Sequence, residues 1–505
     1  MIGWLERIPQ RRVARCVEGG GTESAAYLVQ AIQSLEHPVP LIADEAALLR
    51  VFVAVPGAGG ATIPPVRARF YHGGEEVHRL DIEAGTAEIP SAVDESSLDL
   101  SSNQEVPGWV IQPGLEMVVE IDPEGALDPG LGVPKRLPAE GRSRIDVLMM
   151  PRLDLTVVPM LWSVVPDSSI LDITEGLSPD HELLALVGSL LPVGELKITL
   201  HDPVVTDSRS TLDLVVETAV IRRLEGATGY YKGTMAEPSV SVGVAYNGFP
   251  VSFSAPNPKT FAHELGHNMS LRHAPCGGAG GPDPTFPHAG GASGAWGYDF
   301  ERRELVDPTV PDLMGYCNPN WISDYFFTHA AQFRRYYERA SAGAAGARTR
   351  TLLLWGGIGS DGAPFLEPSF VVDAAASGPR SDGDYELTGT AGDGRVLFST
   401  SFEMPEVAHG EGGSRFAFTL PVEPQWGDGL VKVTLSGPGG TATLDPETGA
   451  SMAIVRDRSS GRVRGILRGA LTGSLASASA VALLSDPDVE VLVSRGLPGR
   501  EAWRR

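Results

Sequence analysis

Residues 259–276 read KTFAHELGHNMSLRHAPC and place His263, Glu264, His267 and His273 in the order His-Glu-x-x-His-x-x-x-x-x-His. Imidazole nitrogens are preferred zinc ligands, and three neutral ones leave the fourth tetrahedral position open to water, the pattern of a catalytic site. On an α-helix His263 and His267 lie one turn apart, so both rings project from one face toward a single ion, with Glu264 beside them. His273 comes six residues after His267, a spacing that a continuing helix would carry away from the metal, so a turn must intervene. Zinc in such a set acidifies a water and polarises a carbonyl, and Glu264 is placed to take the water's proton. The competing reading is a helix with surface histidines, which needs three histidines and a glutamate in this order by accident.

The flanking sequence indicates the elements that position these residues. PSVSVGVAY and PVSFSA read as two strands joined by Asn247-Gly248, a tight-turn signal, and they lead directly into the motif helix. Further upstream lie an apolar helical pattern at 181–192, a strand in ELKITLHDP and an amphipathic helix near Ser208–Leu224. That alternation predicts a mixed α/β domain over 141–345. Short runs such as VRARFYH, EEVHRLDI and GLEMVVEID, separated by turn residues, predict an immunoglobulin-like β-sandwich over 26–140. After about Ala345, LLLWGGI, RFAFTLP and LVKVTLSG alternate with Asp-Gly and Gly-Gly turns and predict a C-terminal β-sandwich over 346–505. Residues 1–25 show no hydrophobic period and read as a flexible or processed leader. The fold class is therefore multidomain α+β.

The extended motif, together with Asp312-Leu313-Met314-Gly315-Tyr316, resembles the metzincin clan of zinc endopeptidases, whose helix carries the three histidines and whose Met-turn lies beneath the metal. The resemblance spans about 145–345 and is specific over 261–276 and 312–317. It implies a metzincin-like α/β catalytic domain and one catalytic Zn2+ held by His263, His267 and His273. It further implies Glu264 as general base, Met314 as an apolar floor under the metal, and Tyr316 as a zinc ligand or oxyanion donor. A Tyr316 that only packs in its loop is the alternative. Ser270 departs from the pattern, because metzincins carry glycine there, where the helix stops in a left-handed conformation. The His267-Asn268 pair is similar to that of adamalysin-like and secreted mucin-cleaving bacterial metzincins. Such domains also present an edge strand to an extended peptide, for which PVSFSA or SVGVAY is the candidate, and Ser323–Ala340 matches their C-terminal helix. The implied protein is a monomeric zinc metalloendopeptidase acting on proteins or glycoproteins. A catalytically inactive metzincin-like adhesin or binding protein, and a hydrolase of non-peptide amides, are the alternatives.

Cys276 lies three residues after His273, and Cys317 three after Met314. A disulfide between them would imply an oxidising compartment; two reduced, buried thiols are the other reading. Cys16 is a candidate latency thiolate of the kind that propeptide cysteines provide in matrix-type metzincins. The glycine-rich loop after Cys276 carries Asp283, His288 and Asp299, but without the regular spacing that would support calcium. The remaining histidines, His72, His181, His201 and His329 among them, have no partners at metal spacing and read as structural or surface residues. With 63 acidic against 40 basic residues the net charge is −23, a field that repels nucleic acid and anionic lipid. No apolar run approaches the length of a membrane span. The N-terminus shows no signal-peptide pattern, so an extracellular or cell-surface location requires a leader upstream of this sequence.

Overall fold

The computed structural model describes residues 24–236, 243–338, 346–379, 381–424, 426–446, 449–469, 477–499 and 502–503. Cys16 and residues 1–23 of the expected leader lie outside the described residues. The chain is mostly β-sheet with few helices, and it forms two compact units, each assembled from separated stretches of sequence. Among the described residues no helix is long and apolar enough to cross a membrane.

The first unit comprises Met1–Arg152, Leu186–Glu195 and His273–Glu338. Strand Ala47–Phe52 pairs antiparallel with Ala25–Val29 on one side and Ser102–Val106 on the other. It is buried along its whole length, although Arg50 lies in its middle. That cation is tolerated because its guanidinium donates to Tyr27 Oη at 3.1 Å, the Glu95 carbonyl at 3.1 Å and the Ser97 carbonyl at 3.0 Å. A second sheet is built on Val66–His72, flanked by Glu75–Ile82 and Glu116–Ile121. Its two-residue alternation turns Val66, Ala68, Phe70, Met117 and Val119 toward a core shared with Leu49 and Val51. Farther along, helix Asp324–Phe333 begins where Ser323 Oγ accepts the Phe326 N–H at 3.1 Å. It ends in a π-helical turn, Arg334–Glu338. Arg334, fully buried, donates to the carbonyls of Pro151, Pro192 and Val193, so one side chain ties together the three sequence stretches of this unit.

The second unit comprises Leu153–Ala185, Leu196–Arg272 and Arg339–Arg505. Its largest sheet has ten strands, numbered here in chain order: β1 (Leu153–Trp162), β2 (Leu196–Leu200), β3 (Val204–Thr206), β4 (Tyr230–Thr234), β5 (Gly243–Tyr246), β6 (Val251–Ser254), β7 (Val407–Ala408), β8 (Met452–Asp457), β9 (Val463–Arg468) and β10 (Val489–Ser494). The order across the sheet is β7-β5-β6-β4-β1-β3-β9-β8-β10, and β2 pairs with the first half of β1. Strands β6, β4, β1, β3 and β9 run parallel, whereas β5 turns back antiparallel to β6 through the expected Asn247-Gly248 turn. Helix α1 (Thr211–Leu224) starts at the Ser210 cap and packs its apolar side, with Leu214, Val215 and Ile221, into one core with Val158, Val251 and Phe253. Two four-stranded antiparallel sheets from beyond residue 345 complete the unit. The central strand of one of them, Arg348–Ile358, is buried on both sides from Thr351 to Gly357. Leu353 and Trp355 join the α1 core, while Leu352 and Leu354 face Leu387, Phe402 and Phe416. That two-sided burial explains the unbroken apolar run LLLW.

Candidate metal centre

Helix α2 (Pro258–Asn268) carries the motif. Asn257 caps it, its Oδ1 accepting the N–H groups of Lys259 at 3.0 Å and Thr260 at 3.2 Å, and Pro258 occupies the first turn, where no N–H is needed. From Phe261 onward every residue of the helix is buried. Its end is pinned to the β5–β6 hairpin. Asn268 Nδ2 donates to the carbonyls of Tyr246, Phe249 and Val251 at 2.8–3.1 Å, and Gly248 N–H donates to the His267 carbonyl at 2.9 Å.

The helix stops before His273. Ser270 N–H donates to the His267 carbonyl and Leu271 N–H to the Gly266 carbonyl, the two bonds of a Schellman motif. Ser270 holds the left-handed position of that motif with φ 68°. The serine thus adopts the conformation that glycine usually supplies, and the chain turns before His273.

His263, His267 and His409 point their Nε2 atoms at one another, with separations of 3.1, 3.1 and 3.3 Å. Each Nε2 has a single in-plane site, either a proton or a lone pair, so three converging nitrogens cannot satisfy one another by hydrogen bonds. A shared cation is what such an arrangement could hold. Zn–N bonds of about 2.0–2.1 Å put tetrahedral nitrogens roughly 3.3 Å apart, close to these separations. His267 Nδ1 lies 2.7 Å from the Leu271 carbonyl; an N–H on that side would set the tautomer in which Nε2 is the atom able to ligate a metal. His273 Nδ1 meets the Gly280 carbonyl in the same way. Among the described residues, His263, His267, His273 and His409 form one group whose ligand atoms lie within 4.8 Å of one another and could hold a metal ion.

Glu264 is 1% exposed, and its Oε2 has no hydrogen-bond partner among the described residues. Its Oε1 lies 3.5 Å from His409 Nε2. Burial pushes this carboxyl up to about 8 against the opposing field of Lys232. Lys232, on β4, is itself fully buried, donates to Ser252 Oγ at 3.3 Å and lies over the Phe261 ring. Gly243, on β5, is a structural requirement for Glu264, because a Cβ there would come within 2.4 Å of the glutamate Cγ. An orphaned carboxylate oxygen beside converging imidazoles is the environment that a metal and its water would complete.

The Met314 segment is built tightly. Asp312, fully buried, accepts the N–H groups of Met314 and Ser323, each at 2.6 Å, and burial pushes its carboxyl up to about 6. Met314 is fully buried, and its carbonyl accepts the Ala274 N–H at 3.1 Å. Tyr316 N–H donates to the Cys276 carbonyl at 3.0 Å, and a Cys276–Cys317 disulfide closes the same junction. The Tyr316 ring stands edge-on to His273 at 5.2 Å, with 42% of the residue exposed. The loop acids serve locally. Asp283 accepts from Thr285 and Tyr325, Asp299 caps the turn at 301–302, and Asp324 pairs with His288 at 2.6 Å.

His409 was not legible in the sequence. It lies 146 residues from His263, outside any short motif, and the pairing of β7 with β5 brings it to the helix. Its one local signal is the glycine-rich run His409-Gly410-Glu411-Gly412-Gly413, with φ 63° at His409 itself.

Residues 219–352, which include the motif helix and the Met314 segment, match the model of a metallopeptidase family, Peptidase M66. The similarity marks the chain as a hydrolase acting on protein substrates. No curated protein and no solved structure matches the chain.

Proposed function

We propose that this metallopeptidase is a zinc endopeptidase of the metzincin type, using His263, His267 and His273 as metal ligands and Glu264 as general base. The observation that carries the reading is the convergence of the motif imidazoles beside a buried carboxylate whose Oε2 has no hydrogen-bond partner among the described residues. A zinc ion bound there supplies Lewis-acid chemistry, polarising a carbonyl and acidifying a water. The residues supply the rest. Glu264 takes the proton of the attacking water and delivers it to the departing amine. Lys232, held under the helix, favours the carboxylate form in which Glu264 acts as a base. Strand β5 lies next to the helix with its outer side available to an extended peptide once the two-residue β7 is removed. Backbone pairing there would lay a substrate across the metal. The disulfide suits an exported protein.

The test compares wild type with Glu264→Gln for zinc content and for cleavage of a denatured protein mixture. The variant should hold zinc as well as wild type and lose turnover by about 100- to 10,000-fold, the usual contribution of a general base. Equal cleavage at equal zinc would remove Glu264 from the mechanism.

A further inference from the structure

We propose that His409 is a fourth protein ligand of the metal, delivered by a strand that lies where a peptide substrate would pair, so that the chain closes its own active site. The inference rests on the zinc peptidase reading above and extends it to the control of that site.

Three independent features converge on it. The first is ligand geometry. His409 Nε2 stands 3.1 Å from His263 Nε2 and 3.3 Å from His267 Nε2, against 3.1 Å between those two. With His273 the group numbers four. Four protein ligands make a closed site, whereas a catalytic zinc site keeps one position for water.

The second feature is where the imidazole stands. His409 Nε2 is 3.5 Å from Glu264 Oε1, so the ring fills the space between the base and the other ligands. That is the space the attacking water needs.

The third is how the residue arrives. Strand β7 runs antiparallel to β5, with Tyr246 opposite Val407 and Ala245 opposite Ala408. Asn247 N–H donates to the Glu406 carbonyl at 3.0 Å, and Arg272 pairs with Glu406 at 3.2 Å. A peptide adding to the sheet would have to take the side of β5 that Glu406–Ala408 occupies. The segment therefore imitates a bound substrate and carries a ligand at its end. Glycines at 410, 412 and 413 follow directly and give the loop the freedom to swing away. Peptide entry then requires β7 to leave β5, and the same movement withdraws His409 and opens the fourth position.

The experiment uses the full chain loaded with cobalt(II) in place of zinc, with azide as the probe of an open coordination position. The variant is His409→Gly, because glycine accepts the left-handed backbone at φ 63° and leaves the fold intact. Wild-type visible absorption bands should be unmoved by azide, whereas those of the variant should shift. The zinc-loaded variant should cleave denatured protein at least tenfold faster than wild type. The double variant Glu264→Gln/His409→Gly should keep the azide response and cleave nothing, which ties the gained activity to the proposed base. Wild-type bands that shift with azide as the variant's do, or a variant that cleaves no faster, would overturn the role of His409 while leaving the peptidase reading intact. Failure of wild type and variant alike to bind cobalt or zinc would overturn both.

Discussion

Ser270 shows what one residue costs a motif. Its φ of 68° places a Cβ against the following carbonyl, a strain of roughly 1–2 kcal/mol in the left-handed region. Glycine relieves it but loses about 0.4–1 kcal/mol through its freer unfolded chain. The balance predicts that Ser270→Gly stabilises the protein by about 0.5–1 kcal/mol, read as a higher urea midpoint with an unchanged denaturant slope. A midpoint that stays put or falls would mean that the serine hydroxyl supports the turn in a way the backbone does not show. The same contrast separates what was legible from what was not. His263 and His267 lie one helical turn apart with Glu264 beside them, so the sequence displays the face the two imidazoles share. His409 reaches the cluster through strand pairing across 146 residues, which no local period encodes.

Among the elements, the junction between the His273 segment and the Met314 turn is the most heavily braced. Two backbone hydrogen bonds, Ala274 to Met314 and Tyr316 to Cys276, run beside the Cys276–Cys317 disulfide. The bridge closes a loop with a sequence separation of 41. Chain-entropy arithmetic for a loop of that length gives about 4 kcal/mol. The paired replacement Cys276→Ser/Cys317→Ser should therefore lower the unfolding free energy by about 2–4 kcal/mol, measured by urea titration against the oxidised wild type. A loss below about 1 kcal/mol would show that the hydrogen bonds and the Asp312 carboxylate hold the junction unaided. The cysteine pairing was readable because both residues flank motif positions at equal spacing. Element ends were readable where a cap announces them, as Ser323 does. The helix near Ser208 begins three residues later because Ser210 caps it, while Ser208 Oγ bonds Asp213.

For the whole molecule, the least legible feature is the return of the C-terminal sequence to the motif-bearing sheet. Strand periodicity identifies the runs around 452–457 and 463–468 but says nothing about their neighbours. In the structure β9 pairs parallel with β3, and β8 and β10 extend the sheet from it. The core around helix α1 is likewise shared, since Leu353, Trp355, Phe370, Ile454 and Ile466 pack with Leu214, Val220 and Phe253. Charge follows the same plan. Glu217, fully buried on α1, is met by Arg468 of β9, and removing one partner of such a buried pair costs about 3–5 kcal/mol. A chain ending at residue 345 would therefore lose β7 to β10, uncover the apolar side of α1 and leave Glu217 unpaired. Together these losses are comparable with the usual net stability of a domain, about 5–15 kcal/mol, so the truncated chain should fail to fold. The expected observation is aggregation, or a soluble fraction without a cooperative thermal transition and without stoichiometric zinc. A soluble 1–345 chain that melts cooperatively and binds zinc would show that the region after residue 345 is an appendage and not part of the fold that holds the site.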